Sequence, residues 1–225
     1  MIKKYPSRII SIENLFDGIY TITFESLAGQ YKFYPGQFLH ISIDPDYDGV
    51  GQWPESRCFS MQSNPDEPYI KITYAVKGLF TKNMENQLKV GNNVWLKMPY
   101  GDLFTQEHSK ENTVFIAGGT GVTPFLSLFT HPSFSEYKNP HIYLGFKNRS
   151  YNIYENSLSS VELSATLKVY YENENGIINI AQILEESDRT TSFFISGPPI
   201  MIKTFKSYLV VNGVGENQVK TDDWE

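Results

Sequence analysis

The sequence changes rhythm halfway along. From Ser7 to about Leu103, short runs such as "SRIISIEN", "GIYTITFES", "GQFLHISI", "YIKITYAV" and "NVWLKMP" alternate apolar and polar residues at period two. That is the pattern of strands with one buried face, and Pro35-Gly36 marks a turn between two of them. Only "TKNMENQLK" has helical character in this half. Many short strands at this spacing predict an antiparallel barrel or sandwich. From about Asn112 the short apolar strands "TVFIAGG", "PHIYLGF", "TLKVYYE" and "TSFFISG" are separated by segments long enough for helices: "PFLSLFT", "YENSLSSV", "IAQILEE" and "PIMIKTFKSYLV". Strand–helix alternation predicts a parallel sheet with crossover helices. The polar stretch "TQEHSKEN", Thr105–Asn112, reads as a linker. The expected organisation is an antiparallel β-barrel over residues 1–104 and a parallel-sheet α/β domain over residues 112–225.

Charge and composition narrow the function. The net charge of the 225 residues is −6, which argues against a nucleic-acid binder, because phosphate backbones need a basic surface. Cys58 is the single cysteine, so neither an internal disulfide nor a four-thiolate iron–sulfur cluster is expected. The start, "MIKKYPSRII", lacks the apolar core of a signal peptide. No apolar run reaches about 18 residues, so the expectation is a soluble cytoplasmic protein without a transmembrane segment. Aromatic residues make up 15%, which suits either stacking surfaces or β-rich cores. His40, His108, His131 and His141 have no metal-ligand spacing. "DPDYDG" (Asp44–Gly49) does not match a calcium loop, and no metal site is expected.

Three stretches carry chemistry. "VFIAGGTGVTPFLSLF" places Gly118-Gly119-Thr120-Gly121 after a predicted strand and before a predicted helix, where backbone N–H groups can meet a phosphate. A P-loop would end in Gly-Lys-Ser/Thr; here Gly121-Val122-Thr123-Pro124 follows. The pattern is closer to a dinucleotide fingerprint, with Gly119 and Gly121 in the G-x-G positions and Pro124 where a third glycine would sit. Thr123 is expected as N-cap and Pro124 as first helical residue. Alone, the motif leaves a second reading open, a tight strand-to-helix turn without a ligand. In "SRCFSMQSNP", Arg57 and Phe59 share one strand face and Cys58 points the other way. An arginine fork suits a phosphate, an aromatic a flat ring, and the Ser60 hydroxyl a ring nitrogen. The alternative is an ordinary strand edge. In "VKGLFTKNM", Gly78 precedes Leu79-Phe80-Thr81 at an apparent helix start, a further candidate phosphate cradle.

Taken in order, Arg57-Cys58-Phe59-Ser60, Gly78-Leu79-Phe80-Thr81, Pro99-Tyr100-Gly101-Asp102-Leu103-Phe104, Gly118 to Pro124, and Ser196-Gly197-Pro198-Pro199-Ile200-Met201 resemble the ferredoxin–NADP(+) reductase superfamily over nearly the whole chain. The resemblance implies a flavin-binding β-barrel, a nicotinamide-dinucleotide domain, and a flavin ring at the boundary between them. It favours FAD over FMN. Arg57 would pair with the flavin phosphates, and Phe59, standing for the family's tyrosine without its hydroxyl, would pack on the isoalloxazine. Ser60 would lie near N5, with Cys58 beside it in the motif. Gly78, Leu79, Phe80 and Thr81 would form the second phosphate loop. Gly119, Thr120, Gly121, Thr123 and Pro124 would accept the dinucleotide's pyrophosphate, with Gly197, Pro198 and Met201 nearby. Ser196 stands where many members have a cysteine beside the nicotinamide. In the tail "VKTDDWE", Asp222 fits the family's terminal acid and Trp224 the aromatic that covers the flavin. Ser60, Ser196 and Asp222 are thus the expected catalytic residues.

The implied activity is hydride transfer from NADH or NADPH to bound flavin, with electrons passed to a separate acceptor. The acceptor would be a ferredoxin, a flavodoxin, an oxygenase component or a small molecule, because no fused iron–sulfur, haem or membrane domain is readable. A reading from another class is a non-catalytic flavin- or dinucleotide-binding subunit. The dinucleotide choice turns on the 2′-phosphate of NADPH, which sites usually meet with an arginine. After "TLKVYY" this chain has Glu172-Asn173-Glu174-Asn175 where NADP-preferring members tend to have a Ser-Arg pair. Glu172 would accept hydrogen bonds from ribose hydroxyls and repel a phosphate, so NADH is expected. Lys147 and Arg149, after the second strand, pull towards NADPH.

Overall fold

A computed structural model describes residues 1–159, 161 and 164–222. The chain divides into two compact units, Met1–Asp102 and from Leu103 onward. The first is an antiparallel six-stranded sheet in the order β4-β3-β6-β1-β2-β5. It is formed by β1 (Lys3–Phe16), β2 (Ile19–Ser26), β3 (Phe38–Ser42), β4 (Arg57–Ser60), β5 (Tyr69–Ala75) and β6 (Asn93–Tyr100). The long β1 pairs with β6 through its first half and with β2 through its second. Register shifts between Ile9 and Ser11 and between Asn14 and Phe16 let it curl. The Gln62 N–H donates to the Lys71 carbonyl at 2.8 Å just beyond β4, tying the two end strands together and nearly closing a barrel. The period-two pattern is the cause: Ile9, Ile22, Phe24, Leu39, Ile41, Ile72 and Leu96 are fully buried in one interior cluster. One helix, α1 (Leu79–Gln87), follows β5 and inserts Phe80 and Met84 into that cluster.

The second unit is a five-stranded parallel sheet in the order β11-β10-β7-β8-β9. Its strands are β7 (Asn112–Gly118), β8 (Asn139–Phe146), β9 (Thr166–Tyr171), β10 (Ser192–Ser196) and β11 (Val219–Thr221). Alternate residues of β7 serve opposite layers. Phe115 and Ala117 face a cluster with α2 (Thr123–Phe129), while Val114 and Ile116 face one with α4 (Ile180–Glu185) and α5 (Pro199–Val211). Both faces are therefore covered, as parallel sheets require. A short helix, α3 (Glu155–Leu158), precedes β9. Many of the aromatic residues are core: Phe115 is ringed by Phe125, Phe129, Phe134, Tyr137 and Phe194 within 6.2 Å.

Two local expectations are corrected. Residues of the presumed linker pack into the second unit: the His108 ring lies edge-on to Phe194 at 4.9 Å, and its Nε2 is 2.8 Å from the Tyr137 hydroxyl. Leu103 and Phe104 also join that unit's core, so the division falls between Asp102 and Leu103. Thr123 is not an N-cap. A turn of 3₁₀-helix over Gly119–Val122 runs into α2, which Val122 caps; Thr123 and Pro124 are its first two residues, and the Thr123 hydroxyl donates back to the Thr120 carbonyl at 2.9 Å. Among the described residues, no helix is long and apolar enough to cross a membrane.

Candidate functional site

In the first unit, β4 and the start of α1 bring two of the three sequence motifs together. Arg57 lies on β4 with its guanidinium 5.2 Å over the ring of Phe80, the second residue of α1. Its Nη1 donates to the Ser56 carbonyl at 2.8 Å and its Nη2 lies 3.2 Å from the Glu55 carboxylate, a pair more than half exposed on both sides. The charge is thus held beside the helix entrance while remaining accessible. At that entrance the Thr81 hydroxyl accepts from the N–H groups of Lys77 and Gly78, at 3.0 and 3.1 Å, and donates to the Gly78 carbonyl. Thr81 therefore shapes the turn. Gly78 has φ −142°, which any residue adopts, and a Cβ there would meet no protein atom within 4 Å. Nothing in the chain itself demands glycine at this position. Open space above a first helical turn, whose N–H groups lack intrahelical partners, beside an arginine, is geometry that could hold a phosphate.

The rest of β4 offers a surface for a flat ring. Phe59 is half-buried against the barrel core with Tyr74 behind it, ring centroids 5.8 Å apart, and Tyr74 in turn stacks on Tyr20. Burial pushes the Tyr74 hydroxyl above its ordinary pKa, so it stays protonated. Ser60 is buried. Cys58 points to the opposite face, its Sγ 3.5 Å from His40 Nε2. Burial raises the Cys58 pKa and lowers that of His40, so a neutral thiol faces a neutral imidazole and neither is activated.

In the second unit, the sheet order reverses between β7 and β10: the chain runs outward through β8 and β9, then returns to the other side of β7. Open α/β sheets bind ligands at the carboxyl ends of the strands at such a switch point. Both loops there are glycine-bearing and touch. A Cβ on Gly121 would lie 2.4 Å from Gly197 Cα, and one on Gly118 would meet Pro198 and the Met201 sulfur at 2.9 and 3.0 Å. Gly119 has φ +55° and open space where a Cβ would stand. The glycine cluster is the sharp turn that the sequence offered as one reading, and its edge is open. Gly118 and Gly121 let two loops close on each other, and Gly119 carries the left-handed turn at the open edge. Beside it, Ser196 ends β10, fully buried, and its hydroxyl donates to an Asp222 carboxylate oxygen at 3.1 Å. The Asp222 N–H donates to the Ile195 carbonyl, which continues the parallel pairing of β11 and fixes the acid's register. Trp224 lies outside the described residues.

Residues 115–207 match the family model of the oxidoreductase NAD-binding domain. Among curated proteins, the chain is 26% identical over 211 residues to flavohemoprotein A of Dictyostelium discoideum, covering 83% of this chain and 51% of that protein. It is 28% identical over 218 residues to the reductase component of propane 2-monooxygenase from Mycolicibacterium smegmatis, covering 87% and 60%. A ferredoxin NADP+ reductase from Neisseria gonorrhoeae, solved with bound FAD and NADP, superposes with a TM-score of 0.80 at 17% identity, covering 98% of each chain. The chain shares the fold of that reductase. It spans about half the length of the first of these curated relatives and 60% of the second.

In this fold, the residues expected to choose the dinucleotide follow β8 and β9. Lys147, Arg149 and Glu172 are all exposed there, and the Glu172 N–H donates to the Phe146 carbonyl at the end of β8. The sequence missed the partner of Arg149: Glu174 accepts from its Nε and Nη2 at 2.9 and 2.8 Å. The acidic run was visible, but no local pattern says which carboxylate meets which base across a turn. A cleft at the amino ends of β7 and β8, lined by Asn112, His141, Glu186 and Thr191 among others, lies opposite the carboxyl ends of the strands, where open α/β sheets bind ligands.

Proposed function

We propose that the protein is a flavoprotein reductase that takes a hydride from NADH onto bound FAD and hands the electrons to a separate acceptor. The observation that carries this reading is the presence in one chain of two open loops suited to a phosphate: the one between Arg57, Phe80 and Gly78 on the barrel, and the Gly119–Gly121 loop closed on Gly197 at the switch point. FAD, when bound, supplies the redox chemistry, accepting electrons as a pair and releasing them singly. The chain supplies binding and alignment. Arg57 and the first turn of α1 hold phosphate, Phe59 backed by Tyr74 packs on the ring, and the Ser60 hydroxyl orients the ring's reactive edge. Ser196, held by Asp222, presents an oriented hydroxyl to the nicotinamide. FAD rather than FMN is favoured by the likeness to the reductase solved with bound FAD. The curated relatives named as a propane 2-monooxygenase reductase component and as methane monooxygenase component C support an oxygenase-type or ferredoxin-type protein as acceptor.

NADH is the preferred donor in this reading, with Glu172 as discriminator. The test compares kcat/KM for NADH and NADPH with an artificial acceptor, after identifying the flavin released from the protein by chromatography. Replacing Glu172 by Ser and Asn173 by Arg moves the preference towards NADPH. An unmodified protein that favours NADPH tenfold, about 1.4 kcal/mol, sinks the NADH assignment; one that binds FMN and not FAD sinks the cofactor assignment.

A further inference from the structure

The chain leaves the edge strand β9 at Tyr171 through a turn that its own side chains hold. The N–H groups of Glu174 and Asn175 both donate to the Tyr171 carbonyl at 2.9 Å. Asn175 Oδ1 accepts from the Tyr171 N–H at 2.6 Å, and Asn175 Nδ2 donates to the Val169 carbonyl at 3.3 Å. Gly176, at φ +83°, completes the reversal. The turn sets the Glu174 carboxylate against Arg149, with two parallel hydrogen bonds at 2.9 and 2.8 Å. The guanidinium lies 4.8 Å over the ring of Tyr171, whose hydroxyl accepts from Asn152 Nδ2 at 3.0 Å. Arg149 is thus held on one side by a carboxylate and beneath by an anchored ring. Glu172, beside the end of β8, adds a second carboxylate, and Lys147 is the other base after that strand.

We propose that Glu174 is a specificity-determining residue that withholds Arg149 from a 2′-phosphate, so that the chain excludes NADPH by occupying its own arginine as well as by the charge of Glu172. The proposal rests on the reading that a nicotinamide dinucleotide lies across the carboxyl ends of the parallel strands. A guanidinium fork suits a carboxylate and a phosphate alike. To engage Arg149, a 2′-phosphate must break both bonds to Glu174 and leave that carboxylate unpaired beside its own negative charge. The Arg149 side chain is 71% exposed, so the pair adds little to stability. Its consequence is for the ligand that competes for the arginine.

The experiment is calorimetric titration of the FAD-loaded protein with 2′,5′-ADP and with 5′-AMP, in the unmodified chain, in Glu174→Gln, and in Glu174→Gln combined with Arg149→Ala. The affinity ratio of 2′,5′-ADP to 5′-AMP rises about tenfold in Glu174→Gln and falls back in the double variant. The kcat/KM ratio of NADPH to NADH moves in the same direction. A rise below threefold, or one that survives the loss of Arg149, overturns the proposal. An unmodified protein that binds neither 5′-AMP nor NADH fails at the earlier step and overturns the dinucleotide site itself, and the two failures are told apart by the 5′-AMP titration alone.

Discussion

Gly78 on the barrel and Gly121 on the parallel sheet both stand in loops that the proposed function assigns to phosphates, and they are glycine for different reasons. Gly78 has ordinary extended φ and nothing within 4 Å of where a Cβ would be. Gly121 has Gly197 backbone at 2.4 Å. At the first position the fold would accept a side chain and a ligand would not; at the second the fold itself forbids one. A glycine in a phosphate loop is therefore evidence for a ligand only where the protein leaves the space above it empty. By that measure Gly78 gives a stronger indication of a bound group than Gly121, although its motif is the shorter one in sequence.

The largest effect expected from breaking this contrast is on stability, from Gly121→Ala. The new methyl meets backbone that cannot swing aside, so the loss is about 3 kcal/mol, the upper end of overpacking costs. For a chain of this size that lowers Tm by about 6–12 °C, measurable by calorimetry. An unchanged Tm would mean that the two loops are further apart than the structure has them. Next is Arg57→Ala, which weakens flavin retention by about 1.5–3 kcal/mol, the value of a charge-assisted hydrogen bond, with Tm of the flavin-free protein nearly unmoved because the Glu55 pair is exposed. Full flavin content at unchanged affinity would remove the phosphate role. Ser60→Ala slows flavin reduction by about one to two orders of magnitude, equivalent to about 1.4–2.7 kcal/mol in the transition state, while flavin affinity changes little. Stopped-flow reduction at the unmodified rate would take Ser60 out of the mechanism. The smallest stability effect is that of Gly78→Ala, under about 1 kcal/mol, yet flavin affinity falls by more than stability does. Equal small losses in both would erase the contrast between the two glycines.

The period-two runs and the strand–helix alternation made both layers of the fold legible, because each strand's burial pattern is written in its own residues. Pairings across the sequence were not. The run "TQEHSKEN" reads as a linker because all eight of its residues are polar or charged, and only the structure shows His108 wedged between Tyr137 and Phe194. The cluster Gly118-Gly119-Thr120-Gly121 was legible as a turn, but that Gly121 meets Gly197 depends on β10 returning beside β7. Asp222 could be matched to the terminal acid by pattern, and the β11 pairing brings it to Ser196. Glu174 was one acid among several until Asn175 and Gly176 bent the chain towards Arg149.

The most direct measurement is an anaerobic titration of the FAD-loaded protein with NADH, followed in the visible flavin band. Tight binding of one FAD per chain, with the band bleached by one equivalent of NADH and restored by an added electron acceptor, is the predicted result. A protein that retains no flavin after reconstitution, or whose bound flavin neither NADH nor NADPH bleaches, would contradict it.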